Sequence, residues 1–217
     1  MNSDLFTYYS RRAKEYERIY EKPERQEDLA KIREKIETIF SGHTVLEIAC
    51  GTGYWTEMIA KTAASVLATD FSENVLAVAK SKSYGTCKIT FQQANAYSLA
   101  NIDGMFSAGF CGFWWSHIPK EKIQLFLQTF HARLPENALV VFLDNRYVEG
   151  SSTAISRRDE AGNTYQIRKL KDGSSHEVLK NFPSENELKA NIGKFSQNFH
   201  LEELRYYWLL SYQLKKF

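Results

Sequence analysis

The sequence has few features that would indicate export, a membrane segment or a metal centre. Its three cysteines, Cys50, Cys87 and Cys111, form no close pair and no zinc-ligand spacing, a pattern typical of free thiols in a reducing compartment. The first residues lack the basic-then-apolar pattern of a signal peptide, and no window of 18 residues is apolar throughout. We therefore expect a cytoplasmic protein without a membrane segment and without a bound metal.

Excess charge and repeats are also lacking. The chain carries 28 basic and 26 acidic side chains, a net charge of +2, so no overall field favours a polyanion and nucleic acid is not expected as a partner. The length of 217 residues suits a single domain. Aromatic residues, in contrast, are abundant, with 14 Phe, 12 Tyr and 4 Trp. They suit a pocket for a flat or cationic ligand.

The pattern of apolar residues alternates between short buried strands and helices. We expect a helical lid over residues 1–40 and a core of alternating strands and helices over residues 41–145. An inserted loop and hairpin is expected over residues 146–182, and a final helix with two strands over residues 183–217. The expected fold is a doubly wound α/β sheet of seven mostly parallel strands with an antiparallel last strand.

The stretch from Thr44 to Thr56 predicts a buried strand, a tight turn and a helix. Gly51 and Gly53 permit the turn and let main-chain amides approach a ligand closely. Glu47 is unusual, because a carboxylate inside an apolar strand needs a partner. A polar ligand over the strand end and a structural salt bridge are both open.

A second acidic residue follows the glycine turn at a spacing that bears on function. Asp70 ends the next predicted strand, 19 residues after Gly51, close to the ~20-residue spacing at which a strand-end carboxylate binds ribose hydroxyls in nucleotide-binding βαβ units. One helix must cross the sheet before the next strand end can lie beside the turn. Capping of the following helix is the alternative role for Asp70.

Glu47-x-x-x-Gly51-x-Gly53 resembles motif I of the class I S-adenosylmethionine-dependent methyltransferases. A nicotinamide-binding turn would instead need a third glycine where Thr56 stands. The resemblance implies S-adenosylmethionine as cofactor, with the glycine turn against its methionine part, Asp70 on the ribose, and Phe71 and Asn95 at the adenine. Ala49 and Asn95 depart from the usual glycine and aspartate. The implied cofactor-binding residues are Glu47, Ala49, Gly51, Thr52, Gly53, Asp70, Phe71, Asn95, Ala96 and Cys111.

The N-terminal segment resembles the lid of many small-molecule methyltransferases in its run Tyr9-x-x-Arg12-Ala13-x-x-Tyr16. By that resemblance Arg12 or Tyr16 reaches the carboxylate of the cofactor. An ordinary solvated helix face remains the alternative for Arg12.

The loop after the fourth strand is where the resemblance places the chemistry. We expect Trp114 and Trp115 to bind the substrate. Asn145 and Tyr147, at the end of the fifth strand, are expected either to bind it as well or to cap the sheet. His117 lies just ahead of a predicted helix, whose dipole should keep its imidazole neutral. It is either a general base, a group that orients a substrate hydroxyl, or a structural histidine bonded to a carbonyl.

The same loop narrows the substrate class. It lacks the Asn/Asp-Pro-Pro-aromatic sequence of enzymes that methylate nucleic-acid bases or glutamine, and the paired glutamates of the protein arginine enzymes are also missing. The sequence thus favours methyl transfer to an oxygen or nitrogen of a small molecule by a monomer or homodimer. A non-catalytic cofactor-binding scaffold and macromolecular methylation are the alternatives.

Overall fold

The fold is a seven-stranded sheet with helices on both faces, which confirms the predicted class. The computed structural model describes residues 13–170 and 172–216, and the side chains of that range from Glu17 onward. The strand order is β3-β2-β1-β4-β5-β10-β9. Strands β1 to β5 are parallel, and β10 is antiparallel to both β5 and β9. The strands are β1 (Thr44–Ile48), β2 (Ser65–Asp70), β3 (Lys88–Gln93), β4 (Ala108–Gly112), β5 (Leu139–Asn145), β9 (Ser196–Glu203) and β10 (Tyr207–Leu214).

Apolar stripes of the helices form a core on each face of this sheet. The helices are α1 (Gln26–Ile39), α2 (Tyr54–Ala60), α3 (Glu73–Lys80), α4 (Ile123–His131) and α5 (Glu185–Ile192). The spacing of apolar residues predicts one buried stripe on α1, formed by Leu29, Ile32, Ile36 and Phe40. All four side chains are fully buried, on the same face of the sheet as α2. Helices α4 and α5 pack on the other face. The sheet is therefore covered on both sides, as a parallel sheet requires.

The strand order reverses between β1 and β4. The chain crosses from β1 outward to β2 and β3, and then returns to β4 on the other side of β1. Ligands of open α/β sheets bind beyond the carboxyl ends of the strands at such a switch point. The turn after β1 and the loop after β4 consequently flank the crevice in which a ligand is expected.

The insert, residues 146–182, carries the predicted hairpin as part of a small second sheet. Strands β6 (Arg157–Arg158), β7 (Thr164–Lys169) and β8 (Ser175–Leu179) pair antiparallel. Asn181 ties the insert to the loop after β4: its N–H donates to Ser116 O at 2.7 Å and its Nδ2 donates to Ile118 O at 3.1 Å. The insert thus lies over the carboxyl ends of β4 and β5.

Three local expectations differ from the structure. The described part of the first predicted helix, Ala13–Tyr20, is a 3₁₀ helix. Residues Lys120–Lys122 likewise form a 3₁₀ turn before α4 starts at Ile123. The apolar run from Asn137 to Leu143 predicts the fifth strand, but β5 begins only at Leu139 because Asn137 adopts a φ of +64° in the preceding turn. Among the described residues no helix is long and apolar enough to span a bilayer.

Candidate cofactor and acceptor site

The turn after β1 depends on three left-handed residues. Ala49, Gly51 and Gly53 have φ values of +55°, +57° and +80°. A Cβ on Gly53 would lie 2.3 Å from the Tyr84 hydroxyl oxygen, whereas one on Gly51 would meet open space. Ala49 is strained, because its Cβ disfavours a left-handed φ that a glycine would adopt freely. The open side of Gly51 leaves room for a ligand against its main chain.

Asp70 lies next to this turn, as its spacing predicted. Its Oδ2 accepts the N–H of Gly51 at 2.9 Å and its Oδ1 accepts the N–H of Ser72 at 2.9 Å. Burial raises the pKa of Asp70, and these main-chain N–H groups partly offset that effect. The carboxylate thereby links the ends of β1 and β2, and each of its oxygens retains a lone pair for a ligand hydroxyl.

Glu47 has a partner inside the protein. Its side chain is buried, and its Oε2 accepts a hydrogen bond from the Thr56 hydroxyl on α2 at 2.6 Å. Burial raises the pKa of Glu47 to about 8, the Thr56 bond opposes this, and the nearby charge of Asp70 adds to it. The two acids are thus close enough to interact, and Glu47 braces the helix behind the turn.

The remaining residues implied for the cofactor differ in exposure. Phe71 is 38% exposed beside Asp70, and so its ring is open to a ligand. The Asn95 side-chain oxygen accepts the N–H of Tyr97 at 2.9 Å, which leaves it one further lone pair. Ala96 is buried. The Cys111 side chain also lies in the core, and burial raises the pKa of its thiol, so this side chain does not face the crevice.

Thr52 connects the turn to the N-terminal segment. Its hydroxyl donates to Glu17 Oε1 at 2.7 Å, and the same carboxylate bonds Lys82. The segment that carries Glu17 therefore lies against the glycine turn. Arg12 lies outside the described residues and Tyr16 outside the described side chains, so their role at the cofactor carboxylate stays a prediction.

The two tryptophans are not among the residues that line the cavity beside His117, and their contact with a substrate stays a prediction. Trp115 is 2% exposed and packs edge-on against Phe142 and Trp208, with ring centroids 5.1 and 6.1 Å away. Trp114 is half-buried against Tyr97 and Val178. The Trp115 indole turns inward because Phe142 of β5 and Trp208 of β10 offer large apolar surface beneath the loop, a packing that local sequence does not reveal.

His117 does face the cavity, but its surroundings differ from those predicted. It ends the 3₁₀ helix Trp115–His117, and its Nδ1 donates to Leu179 O at 2.7 Å, which makes Nε2 the unprotonated nitrogen. Burial, and then the charge of Lys180, lower its pKa to about 3, although Asp144 opposes them. The imidazole is thus neutral as predicted, but because of burial and Lys180, not a helix dipole.

A buried ion pair between Lys180 and Asp144 lies behind His117 and was not predicted from the sequence. Lys180 Nζ lies 3.2 Å from Asp144 Oδ1 and donates to the Ser116 hydroxyl at 2.6 Å. Asp144 also accepts the Ser116 N–H and hydroxyl, both at 2.9 Å. Burial would raise the pKa of Asp144, yet Lys180 and His117 hold it below its usual value. The only sequence signal was one acid inside the apolar β5 run.

A cavity of about 220 Å³ lies beside this pair, between the insert and the loop after β4. Tyr20, Phe113 and Tyr207 supply aromatic walls, and Asn145 lines it as predicted. Tyr147 is 41% exposed and packs on Phe182 instead of lining the cavity. No cluster of three or more potential metal ligands occurs within residues 13–170 and 172–216. The cavity adjoins the end of β4, one strand from the glycine turn.

Comparison with known proteins is consistent with this geometry. Residues 45–137 match a family described as "Methyltransferase domain". A demethylmenaquinone methyltransferase of Bacillus licheniformis is 33% identical over 81 residues, 36% of this chain and 35% of that protein. One from Lactococcus lactis is 34% identical over 84 residues, 36% of this chain and 33% of that protein. The chain thus spans about a third of the length of these curated relatives.

Solved structures share the fold over nearly the whole chain. A complex described as DhpI-SAM-HEP superposes with a TM-score of 0.78 at 24% identity, covering 97% of this chain and 98% of that one. An S-adenosylmethionine-dependent methyltransferase from Clostridium acetobutylicum gives a TM-score of 0.64 at 16% identity, covering 94% and 99%. Residues 45–137 thus match the methyltransferase-domain family, and the chain as a whole shares the fold of these solved structures.

Proposed function

We propose that the chain transfers a methyl group from S-adenosylmethionine to an oxygen or nitrogen of a small-molecule acceptor. The observation that carries the proposal is the Asp70 carboxylate bonded to the Gly51 N–H at the switch point of the sheet, one strand from the cavity beside His117. When bound, S-adenosylmethionine supplies an electrophilic methyl group on a sulfonium. Asp70 would hold its ribose, and Gly51 would lie against its methionine part.

The cavity residues would position the acceptor. Tyr20, Phe113 and Tyr207 form a connected aromatic wall, with Phe113 ring centroids 5.7 Å from Tyr20 and 5.8 Å from Tyr207. A wall of this kind excludes water and holds a nucleophile in line with the methyl group, which accounts for much of the acceleration of a displacement. The chemistry that a bound donor would supply is displacement at its methyl group, and the role of Tyr20, Phe113 and Tyr207 would be to orient the acceptor lone pair and to exclude water.

His117 is better suited to orient the acceptor than to take its proton. A base works best when its pKa is near the working pH, and the pKa of His117 is lowered to about 3. Its neutral imidazole lines the cavity, which suits contact with an acceptor hydroxyl or amine. We expect His117→Ala to lower kcat with little change in donor affinity, and the pH profile to show no inflection near pH 6.5. Unchanged turnover would remove His117 from the mechanism.

Methyl transfer from radiolabelled S-adenosylmethionine to a panel of small acids, alcohols and amines tests the proposal. We expect labelled product with at least one member, and no labelled protein or nucleic acid. Donor binding without transfer to any acceptor would favour a cofactor-binding scaffold instead. Labelled macromolecule would favour the macromolecular alternative.

A further inference from the structure

The cavity beside His117 is unusually basic for its size. Five of its lining side chains are cationic and none of the described lining residues is acidic: Arg18, Lys22, Arg25, Arg168 and Lys180. They come from separate parts of the chain, namely the N-terminal segment, the start of α1 and the insert. With a net charge of only +2 on the whole chain, this concentration is a local feature and not a reflection of composition.

Arg25 is the most enclosed arginine of the set. It is 6% exposed, and its guanidinium donates to the Ser151 hydroxyl at 2.9 and 3.1 Å and to Asn145 Oδ1 at 3.2 Å. It also lies over the rings of Tyr206 and Tyr207, 5.1 and 5.6 Å from their centroids. All these partners are neutral, and no described carboxylate pairs with it. A buried charge without a counter-ion is costly.

Arg168 reaches the same cavity from the insert. Its NH2 group donates to Gln166 Oε1 at 2.6 Å, while its Nε is buried and makes no hydrogen bond within the described part of the chain. Gln166 is itself 1% exposed and lines the cavity. A guanidinium whose buried Nε has no hydrogen-bond partner, beside a cavity, is suited to bind an oxyanion through paired N–H groups.

The charges facing the cavity do not balance. Lys180 pairs with Asp144 at 3.2 Å, whereas the hydrogen bonds of Arg25 and Arg168 go to neutral side chains, and the described lining of the cavity includes no carboxylate. Burial lowers the pKa of Lys180, and the positive charges of Arg168 and Arg25 lower it further. Glu24 offsets part of this charge from the exposed rim, where it lies 3.9 Å from Lys22 and accepts a hydrogen bond from the Ser151 hydroxyl at 2.9 Å.

We propose that the acceptor is a small organic acid whose oxyanion is held by Arg25, Arg168 and Lys180. The inference rests on the proposed methyl transfer for its biological meaning, but the anion site stands on the cavity alone. A carboxylate or a phosphoryl group would satisfy the Arg168 Nε and neutralise the excess charge. An amine head group would instead face like charges, so cationic compounds should be excluded.

Calorimetry with matched probes tests this proposal on the full chain saturated with S-adenosylhomocysteine. The probes are propionate, propyl phosphate, propanol and propylamine, which share a carbon chain and differ in the head group. We expect at least one anion to bind on the order of tenfold or more tighter than propanol, and propylamine to show no binding. The two anions separate a carboxylate site from a phosphoryl site.

Variants of two arginines on the same insert localise the effect. Arg168→Met should weaken anion binding by about tenfold to a hundredfold, and Arg168→Lys should retain part of the affinity. Arg157→Met is the matched control, because Arg157 is exposed and already paired with Glu177 at 2.6 Å. Its loss should leave anion affinity unchanged.

Three results would overturn the proposal: tighter binding of propanol or propylamine than of either anion, no anion binding at millimolar concentrations, or an Arg168→Met variant with unchanged anion affinity. The binding of S-adenosylhomocysteine by itself separates this inference from the proposed function. If the nucleoside binds and anions do not, only the anion site fails. If anions bind and the nucleoside does not, the donor assignment fails while the basic cavity remains.

Discussion

The proposed donor side of the sheet edge is the turn after β1 together with Asp70, and the proposed acceptor side is the cavity beside His117. The two are assembled in different ways. On the donor side, Gly51, Gly53 and Asp70 lie within 20 residues, and a single βαβ unit brings them together. On the acceptor side, Arg25 bonds Asn145 and Ser151, which are 120 and 126 residues away. The donor side is thus a local structure with strict backbone demands, whereas the acceptor side is a tertiary assembly of long polar side chains.

This difference determines which part of the site tolerates changes in sequence. The donor turn needs particular backbone angles at Ala49, Gly51 and Gly53, so few sequences satisfy it. The acceptor cavity needs only that an insert, residues 146–182, be anchored over the ends of β4 and β5. Function in such a fold lies in the site grafted onto it, and here the insert supplies seven of the sixteen described residues that line the cavity.

The largest expected effect concerns the anchor of the insert. Asp144→Asn would leave the Lys180 ammonium buried without a counter-ion, and we expect it to lower the free energy of unfolding by about 3–5 kcal/mol. Urea denaturation measures this loss. Glu177→Gln, which breaks only the exposed pair with Arg157, is the control and should cost less than about 1 kcal/mol. Equal losses in the two variants would contradict the claim that a buried pair anchors the insert.

The next effect concerns Glu47 on the donor side and depends on pH. The pKa of Glu47 is about 8 in the folded protein against 4.5 ordinarily, so between these values the folded state binds one proton more than the unfolded state. The free energy of unfolding should therefore fall as pH rises from about 4.5 to 8, and Glu47→Gln should remove that loss, on the order of 3 kcal/mol.

Urea denaturation of both proteins at several pH values measures the difference. The exposed Glu57→Gln, on the same helix as Thr56, is the control and should follow the wild type at every pH. A difference between wild type and Glu47→Gln that does not change between pH 5 and 8 would show that Glu47 ionises normally. Its role as a neutral brace behind the turn would then be wrong.

The smallest effect concerns the strained alanine of the turn. Ala49→Gly should relieve a left-handed φ of +55° and raise the free energy of unfolding by up to about 1 kcal/mol, after the larger entropy of glycine in the unfolded chain is offset. Ala77→Gly on the exposed face of α3 should instead destabilise by about 1 kcal/mol. Chemical denaturation of the two variants measures the sign of each change in the free energy of unfolding. Destabilisation by Ala49→Gly as well as by Ala77→Gly would refute the strain at Ala49.

The sequence was informative where local sterics and periodicity dominate. The α1 stripe and the β2 bounds follow from apolar spacing, and the place of Asp70 follows from the length of one βαβ crossover. The burial of Trp115 was not predicted because it depends on Phe142 and Trp208, which belong to other strands. Lys180 was missed because its partner Asp144 lies 36 residues away, and no spacing rule links two residues joined by a variable insert.

Titration of the chain with S-adenosylhomocysteine, by calorimetry, tests the donor side most directly. We predict saturable binding at one site, weakened about tenfold to a hundredfold by Asp70→Ala because a charged acceptor of ribose hydrogen bonds is lost. The exposed Asp103→Ala serves as the control and should bind as the wild type does. Absence of binding to the wild type, or equal affinity in Asp70→Ala, would contradict the placement of the donor at the ends of β1 and β2.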